Sequence, residues 1–337
     1  MNKKRLRKVS SGVNRIKTCE FVSPGHPDKI CDFIADSILD ECLKKDKFSR
    51  VAVEVMGGHG LITLNGEITM RGAVDYAGIV KKIVGKNYKV IVNIAKQSPF
   101  IASGVDTGGA GDQGIMNGYA SADTASLMPL EYEFARNLCK KIYARHPYDG
   151  KTQVTIDGKK IKTVVASFQN TKSEKLEKLV RKIIKAERYL INPAGEWTQG
   201  GFDADSGLSG RKLVVDNYGP EVSIGGGSFS GKDPTKVDRS GAYMARRIAV
   251  DYSRKFKAKE VRVRLAYAIG IPGPVMAIAT VDGVDMNLLS TNHQLPTKNP
   301  FIPGYDLTPA GIMRTLRLRR PIYAKLSRWG HFGNHLL

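Results

Sequence analysis

The chain has 337 residues, 42% of them hydrophobic, so it is long and apolar enough for two or three domains with true cores. It contains no run of eighteen apolar residues, so neither a membrane-spanning helix nor a membrane partner is expected. The formal net charge of +21 predicts polyanionic partners, a class that includes nucleic acid, anionic lipid and nucleoside triphosphates.

Residues 1–17 carry seven Lys or Arg and no acid, and we interpret them as a solvated basic arm. A mitochondrial presequence stays open as an alternative, although the segment lacks a convincing amphipathic helix. The cysteines are Cys19, Cys31, Cys42 and Cys139, and they have no metal-binding spacing. So few thiols fit a reducing cytoplasm, which is the expected location.

The first part of the chain alternates helical and strand patterns. The predicted elements are a helix over Asp28–Leu43, strands over Val51–Val55 and Leu61–Leu64 around a Gly57-Gly58 turn, a helix over Tyr76–Val84, a buried strand over Lys89–Ile94 and a loop over Ser98–Gly118. The helix over Asp28–Leu43 is entered through a turn rich in glycine and proline.

The rest of the chain continues the same theme. The predicted elements are helices over Tyr132–Ala144, Ser173–Tyr189 and Arg239 to about Phe256, a hairpin of Gln153–Ile156 with Lys162–Phe168, and strands over Val261–Ile269 and Val275–Val281. A strand-strand-helix unit thus recurs roughly three times, about every hundred residues. This pattern predicts an α+β fold with helices on one face of each sheet.

Residues 225–240, GGGSFSGKDPTKVDRS, almost complete a phosphate-binding P-loop motif. Asp233 stands where that motif needs a hydroxyl residue, so a P-loop fold is rejected. Glycine amides next to cations nevertheless suit a polyphosphate; the cations are Lys232, Lys236 and Arg239. Asp238 is a candidate Mg²⁺ ligand. The alternative is a solvated basic turn before a helix.

Three further segments are candidates for ligand binding. In residues 23–29, His26 can bind a phosphate and Asp28 a metal, although Asp28 can equally cap the following helix. Residues 108–118 are glycine-rich around Asp112, which fits either closure over a ligand or a surface loop. Residues 203–212 place two carboxylates before an Arg-Lys pair, which suits a zwitterionic substrate or ordinary ion pairs.

Taken together, these segments resemble the S-adenosylmethionine synthetase (methionine adenosyltransferase) family. The resemblance runs from about Glu20 to Phe332 and rests on an ordered series of nine motifs: GHPDK, GEIT, KQSP, GAGDQG, INP-G, GL-GRK, GGG-FSGKDP-KVDRS, AYAIG and GHFG. Any one of these motifs alone is weak evidence, but the order and spacing of all nine are specific.

The resemblance implies three α+β domains related by pseudo-threefold symmetry, each a sheet with helices on one face. It also implies a homodimer in which the sheets pair flat and the active sites are shared, with a tetramer left open. The expected divisions are a basic arm over 1–17, an N-terminal domain over 18–105, a central domain over 106–192 and a C-terminal domain over 193–337, with the chain crossing between domains.

The implied reaction has two parts. The sulfur of L-methionine attacks C5′ of ATP and expels tripolyphosphate, which is then hydrolysed to phosphate and pyrophosphate. A thioether has no proton to remove, so the rate must come from alignment and from stabilisation of the leaving group. The implied cofactors are two Mg²⁺ per active site and K⁺.

The resemblance also implies roles for residues at matched motif positions. His26 contacts the phosphate chain, Asp28 and Asp238 hold Mg²⁺, and Glu54 serves the K⁺ site. The tripolyphosphate is gripped by Lys151, Arg211, Lys212, Lys232 and Lys236. Glu67 and Gln97 bind methionine, with Asp205 nearby. Asp112 and Asp149 contact methionine or the ribose. Trp197 stands in place of a Phe and stacks on adenine.

Several features depart from the family pattern. Pro24 replaces an acid, the loop between Gln97 and Gly111 is shorter, and residues 72–90 are trimmed. The shorter loop puts closure and product release in question. Three rival hypotheses remain. The first is a nucleic-acid-binding protein, which we do not expect because we find no recognition motif. The other two are a degenerate regulatory subunit and an enzyme that uses another nucleophile or nucleotide.

Overall fold

A computed structural model describes residues 16–97, 108–286 and 302–333. Residues 1–15 of the basic arm, most of the loop between Gln97 and Gly111, the segment 287–301 and residues 334–337 lie outside the described residues. The last two residues of the expected arm, Ile16 and Lys17, instead begin a strand, where they pair with Asp157 and Ile156. The strands in chain order are β1 (Ile16–Val22), β2 (Arg50–Gly58), β3 (Leu61–Thr69), β4 (Lys89–Ala95), β5 (Gly114–Ser121), β6 (Gly150–Asp157), β7 (Lys160–Phe168), β8 (Arg188–Ile191), β9 (Gly207–Leu208), β10 (Glu260–Tyr267), β11 (Met276–Val281) and β12 (Val284–Asp285).

The helices lie between these strands. They are α1 (Pro27–Lys45), α2 (Tyr76–Val84), α3 (Leu130–Tyr143), α4 (Ser173–Ile183), α5 (Leu213–Asp216), α6 (Val237–Phe256), α7 (Pro309–Thr315) and α8 (Tyr323–Ser327), with a 3₁₀ turn at Gly201–Asp203. Among the described residues, none of these helices is long and apolar enough to cross a membrane.

The strands form three four-stranded sheets with equivalent order: β4-β3-β2-β9, β8-β7-β6-β1 and β12-β11-β10-β5. Each sheet has an antiparallel pair of consecutive strands at its centre, and a strand from elsewhere in the chain pairs antiparallel with the first of them. In two sheets a helix follows the pair and returns the chain as a parallel edge strand. This repetition confirms the α+β class and the threefold repeat of sheet and helix.

The long helices α1, α3 and α6 each precede the central pair of one sheet and pack on its inner face. Helix α1 begins with Pro27, which suits the first helical position because its missing N–H would have no helical acceptor. Many of its apolar side chains are fully buried; they include Cys31, Ile34, Ile38 and Cys42. Cys31 and Cys42 are therefore packed thiols of the core.

Two predictions about the first sheet are wrong. Gly57 and Gly58 lie inside β2, and the chain turns at His59 and Gly60. Both turn residues have positive φ, as a two-residue hairpin loop with the strand twist requires. The strand β4 is mostly exposed rather than buried, because it forms the edge of its sheet.

Two further predictions fail where tertiary pairing overrides local pattern. The predicted helix over Ser173–Tyr189 ends at Ile183, since residues 188–191 form β8 beside β7. The predicted loop over Ser98–Gly118 overlaps β5, which begins at Gly114 and pairs with β10 along its whole length. Residues 98–107 of that loop lie outside the described residues.

Gly118 illustrates why β5 is rich in glycine. A Cβ atom at this position would lie 2.1 Å from backbone atoms of Ala245 in α6, so only glycine lets the helix approach the strand. We expect Gly118→Ala to destabilise the protein by about 1–3 kcal/mol, because the backbone must move to remove the overlap. Urea unfolding at fixed protein concentration measures this, with the open Gly226→Ala as control. A Gly118→Ala stability equal to the control would contradict this packing.

Candidate active site

The loop from Ser23 to His26 is anchored to the start of β6. The Ser23 hydroxyl donates to the Tyr148 carbonyl at 2.8 Å, and the Ser23 amide donates to the Gly150 carbonyl at the same distance. Gly25 packs directly on the backbone of Tyr148 and Asp149. These contacts bring His26 next to the residues at the beginning of β6.

His26 is the N-cap residue of α1, and its buried side chain is held in one orientation. Its Nδ1 accepts a hydrogen bond from the Asp28 amide at 3.1 Å, so the neutral ring carries its proton on Nε2. Burial, together with the nearby cations Lys212 and Lys151, lowers the pKa of His26 to about 4. His26 is therefore a neutral hydrogen-bond donor at neutral pH.

Asp28 lies at the centre of a cluster of cations. Its Oδ2 accepts from the Lys212 ammonium at 2.5 Å, and its Oδ1 is 3.1 Å from the Arg211 Nε and accepts from the Leu208 amide at 2.9 Å. Burial raises the pKa of Asp28, but the bonds from Lys212 and Leu208 outweigh it and lower the pKa overall. The carboxylate is thus ionised and its two oxygens are oriented.

Asp149, Lys151 and Asp205 surround this cluster. The Asp149 carboxylate accepts from the Gly201 amide at 3.0 Å, and burial raises its pKa. Lys151 and Asp205 are close enough to His26 to affect its pKa. The half-buried Trp197 ring packs against Gly200, next to the same turn. We call this group half-site A; it comprises His26, Asp28, Asp149, Lys151, Trp197, Asp205, Arg211 and Lys212.

A second group, half-site B, comprises Asp112, Lys232 and Asp238. The Lys232 ammonium lies 2.5 Å from the Asp238 carboxylate. Burial raises the pKa of Asp238, the Lys232 cation opposes this rise, and the neighbouring Asp112 carboxylate adds to it. A Cβ atom at Gly227 would lie 2.1 Å from the Asp238 carboxylate, so the glycine-rich loop closes tightly over this acid.

Lys236 and Arg239 do not project freely from the glycine-rich segment. The buried Lys236 ammonium donates to the Asp233 carboxylate, which also accepts from the Val51 amide at 2.7 Å. Arg239 is fully buried, and one of its terminal nitrogens donates to both carboxylate oxygens of Asp36, at 2.7 and 2.8 Å. The expectation that Arg239 faces a polyphosphate is wrong, because its guanidinium belongs to the core.

Glu54 lies between the two half-sites. Ser209 donates a hydrogen bond to its carboxylate, and burial raises its pKa against the opposing effects of Ser209 and Lys232. Glu67 lies on the same outer face of the sheet, opposite Ala52 in the register. The Gln97 amide donates to the Thr69 hydroxyl at the far end of β3, and the Gln97 Oε1 is buried without a partner among the described residues.

The half-sites are separated along β2. Leu208, whose amide binds Asp28, pairs with Met56, whereas Lys232 forms an isolated bridge with Ala52. Four residues of strand separate these contacts, which is about 13 Å at 3.3 Å per residue. A single chain therefore presents two charged groups side by side on one sheet rather than one closed site.

Four aspartates on α1 hold the second half of the chain in place, a role that the sequence analysis missed. They recur at every fourth residue: Asp28, Asp32, Asp36 and Asp40. Each accepts hydrogen bonds from distant backbone amides: Leu208, Gly210, Gly231, and Tyr323 with Ala324. The signal was available, because four acids at a spacing of four lie along one side of a helix that is otherwise rich in apolar residues.

The acid sensitivity of His26 is directly testable. We expect the His26 resonances to show the neutral Nε2-protonated tautomer at pH 7 and to titrate near pH 4, since burial and two cations disfavour the imidazolium. Because the unfolded chain binds this proton more readily, His26 makes stability rise with pH between about 4 and 6.5. Nitrogen-edited NMR of the histidine side chains checks this; a midpoint at or above 6.5 would refute it.

The fold and the two charged groups together define a three-sheet α+β protein with a candidate polyanion site. Three family models match successive parts of the chain, namely the N-terminal (residues 14–88), central (107–197) and C-terminal (199–337) domains of S-adenosylmethionine synthetase.

Similar proteins agree with these matches. The S-adenosylmethionine synthase of Brachyspira hyodysenteriae is 40% identical over 94% of this chain and 93% of its own length. That of Desulforudis audaxviator is 40% identical over 94% and 92%. A solved structure of an unusual S-adenosylmethionine synthetase from Campylobacter jejuni has a TM-score of 0.83 and 34% identity, covering 95% of both chains.

The chain belongs to the S-adenosylmethionine synthetase family. Its activity is the synthesis of S-adenosylmethionine, which makes it a methionine adenosyltransferase.

Proposed function

We propose that the chain forms S-adenosylmethionine by direct attack of the methionine sulfur on C5′ of ATP, and that the same site then hydrolyses the tripolyphosphate to phosphate and pyrophosphate. The observation that carries this proposal is the pairing of lysines with buried aspartates in both half-sites, Lys212 with Asp28 and Lys232 with Asp238. Such a site already holds the charges that a departing tripolyphosphate requires.

The cations supply leaving-group stabilisation. Lys151, Arg211, Lys212 and Lys232 are proposed to bind the phosphate chain, each interaction contributing a few kcal/mol where water is excluded. His26 is proposed to donate a hydrogen bond from its Nε2–H to the bridging oxygen as the C5′–O bond breaks, without losing the proton; its neutral state and fixed ring orientation support this role. Lys236 is proposed to act with them, after exchange of its Asp233 partner for phosphate oxygens.

The remaining candidates suit the adenosine and methionine parts of the substrates. Trp197 offers an aromatic face beside half-site A for adenine. Asp149, Asp112 and Asp205 are proposed to bind the ribose hydroxyls or the methionine ammonium. Glu67 and Gln97 lie near each other at the end of β3 and are proposed to bind methionine, and the unpartnered Gln97 oxygen supports a ligand there.

The residues present fit the two implied Mg²⁺ ions. Asp28 and Asp238 provide oriented carboxylate oxygens, the ligand type that Mg²⁺ prefers. Within the described ranges no three acids, histidines or cysteines converge as a metal cage, so substrate phosphates are proposed to complete the coordination. When bound, Mg²⁺ neutralises charge on the tripolyphosphate. Glu54, whose carboxylate accepts a hydrogen bond from Ser209, is proposed to hold K⁺.

A homodimer with shared active sites is proposed to complete the site. The outer face of the sheet β4-β3-β2-β9 exposes large apolar side chains beside Glu54 and Glu67; they are Met56 at 58%, Leu61 at 38%, Ile91 at 42% and Leu208 at 37% exposure. Flat pairing of two such faces would bury them and place half-site A of one chain against half-site B of the partner. A tetramer and a cytoplasmic location belong to the same proposal, and four buried free thiols fit that location.

The proposal is tested by incubating the full chain with ATP, L-methionine, Mg²⁺ and K⁺. We expect one phosphate and one pyrophosphate for each sulfonium product, identified by mass. Free tripolyphosphate in stoichiometric amount would contradict the second step, and phosphate without sulfonium would contradict the first. Inactivity of a Lys236→Met variant with an unchanged melting temperature supports a phosphate-binding role for that residue, whereas full activity removes it from the site.

A further inference from the structure

A cavity of about 400 Å³ adjoins the loop that carries His26, and none of the half-site A residues lines it. We call it the rear pocket. Its walls come from the beginning of α1, the end of α2, the end of α3 and the 3₁₀ turn; the apolar and aromatic lining residues are Ile30, Phe33, Ile83, Val84, Tyr88, Tyr143 and Phe202. This volume and lining are typical of a site for a small organic ligand.

The charges around the rear pocket define the ligand further. No acidic side chain lines it, and two cations do, Lys29 and Arg328. Lys29 is buried and already neutralised by Asp32 and Asp216, at 2.9 and 2.5 Å. Arg328 is exposed, and among the described residues it has no acid within ion-pair distance; its guanidinium lies 5.9 Å from the centre of the Tyr143 ring.

We propose that the rear pocket binds a small aromatic carboxylate. The ring system of the ligand occupies the space between Phe33, Val84 and Phe202, and its carboxylate forms a bidentate pair with Arg328 at the mouth. Arginine suits this role because its planar donors match a carboxylate. Neither ATP nor methionine fits this description, since both carry charged groups that the apolar walls would leave unpaired.

The position of the pocket links it to half-site A. Pro24 and Gly25 line the pocket and directly precede His26, and Phe202 follows Gly201, whose amide binds Asp149. A bound ligand therefore contacts two segments that orient the candidate catalytic residues. The pocket is a site for an effector rather than for a substrate.

The test is calorimetric titration of the full-length protein with 2-naphthoate, with the neutral analogue 2-naphthamide titrated in parallel. We expect one 2-naphthoate site per chain and roughly tenfold weaker binding in Arg328→Gln, as loss of a charge-assisted bond predicts. The same variant should bind 2-naphthamide like the parent protein. Val84→Trp, which fills the cavity, should abolish binding of both compounds.

Arg317→Gln is the matched control, because it removes one exposed arginine outside the pocket lining. Its affinity for 2-naphthoate should equal that of the parent. Formation of S-adenosylmethionine by each variant in the absence of 2-naphthoate verifies folding. The proposal is overturned if 2-naphthoate shows no saturable site, or if Arg328→Gln and Arg317→Gln bind it equally.

Discussion

Lys212→Ala and Lys232→Ala proteins are each expected to lose at least about a hundredfold in kcat, and a refolded mixture of the two is expected to regain activity. Each substitution removes one cation from one half-site. In a mixed dimer with shared sites, one site receives both substitutions and the other receives neither. The mixture should therefore reach about a quarter of the parent activity, since half of the dimers are mixed and each has one intact site.

The measurement is S-adenosylmethionine formed per chain after co-refolding at equal concentrations. A co-refolded mixture of Lys212→Ala with Arg211→Ala is the control, because both changes lie in half-site A and no dimer then contains an intact site. If the two half-sites of one chain worked together, the Lys212→Ala and Lys232→Ala mixture would stay as inactive as its components. That result would refute the shared site.

Arg239→Met is expected to lower the free energy of unfolding by about 3–5 kcal/mol, the largest effect on stability that we predict. The substitution leaves Asp36 buried without its cation. Burial already raises the pKa of Asp36 against the opposing effect of Arg239, so loss of Arg239 raises this pKa further. The stability difference between the variant and the parent should therefore be smaller at acidic pH than at neutral pH, because protonation of Asp36 removes the unpaired charge.

Urea unfolding at fixed protein concentration measures this difference, since association affects the apparent stability of an oligomer. Arg247→Gln is the control: it breaks the exposed pair with Asp251 in the same helix and should cost less than about 1 kcal/mol. Replacing both Asp36 and Arg239 by Leu and Met should recover part of the loss. If Arg239→Met and Arg247→Gln lower the free energy of unfolding equally, the buried pair of Arg239 with Asp36 contributes no more than an exposed pair.

The order of helices and strands was predictable because hydrophobic periodicity reports which side of an element is buried. The helix over Tyr76–Val84 was predicted with its observed bounds, and α1 within two residues at each end. The β5 strand was not predicted, since its glycines resemble a loop and only the approach of α6 explains them. Residues 188–191 resembled a helix until pairing with β7 determined their conformation.

The candidate site was predictable to the level of residue types. His26 and Asp28 were named from one motif and Lys212 from another, and the structure brings the two motifs together. Periodicity carries no information about how 184 residues of chain fold back to place Lys212 on Asp28, so the division into two half-sites was not foreseen from the residues. The same holds for Arg239, whose position in a basic segment concealed a buried partner on another helix.

The aspartates along α1 make this helix sensitive to insertion or deletion of residues. An α-helix advances about 100° per residue, so one inserted or deleted residue between Asp28 and Asp40 would rotate the later aspartates away from Gly231 and Tyr323. Surface loops tolerate changes of length, whereas a change of length within this helix would separate the aspartates from the amides that they bind. The number of residues between these aspartates is therefore fixed by the backbone amides that they must reach.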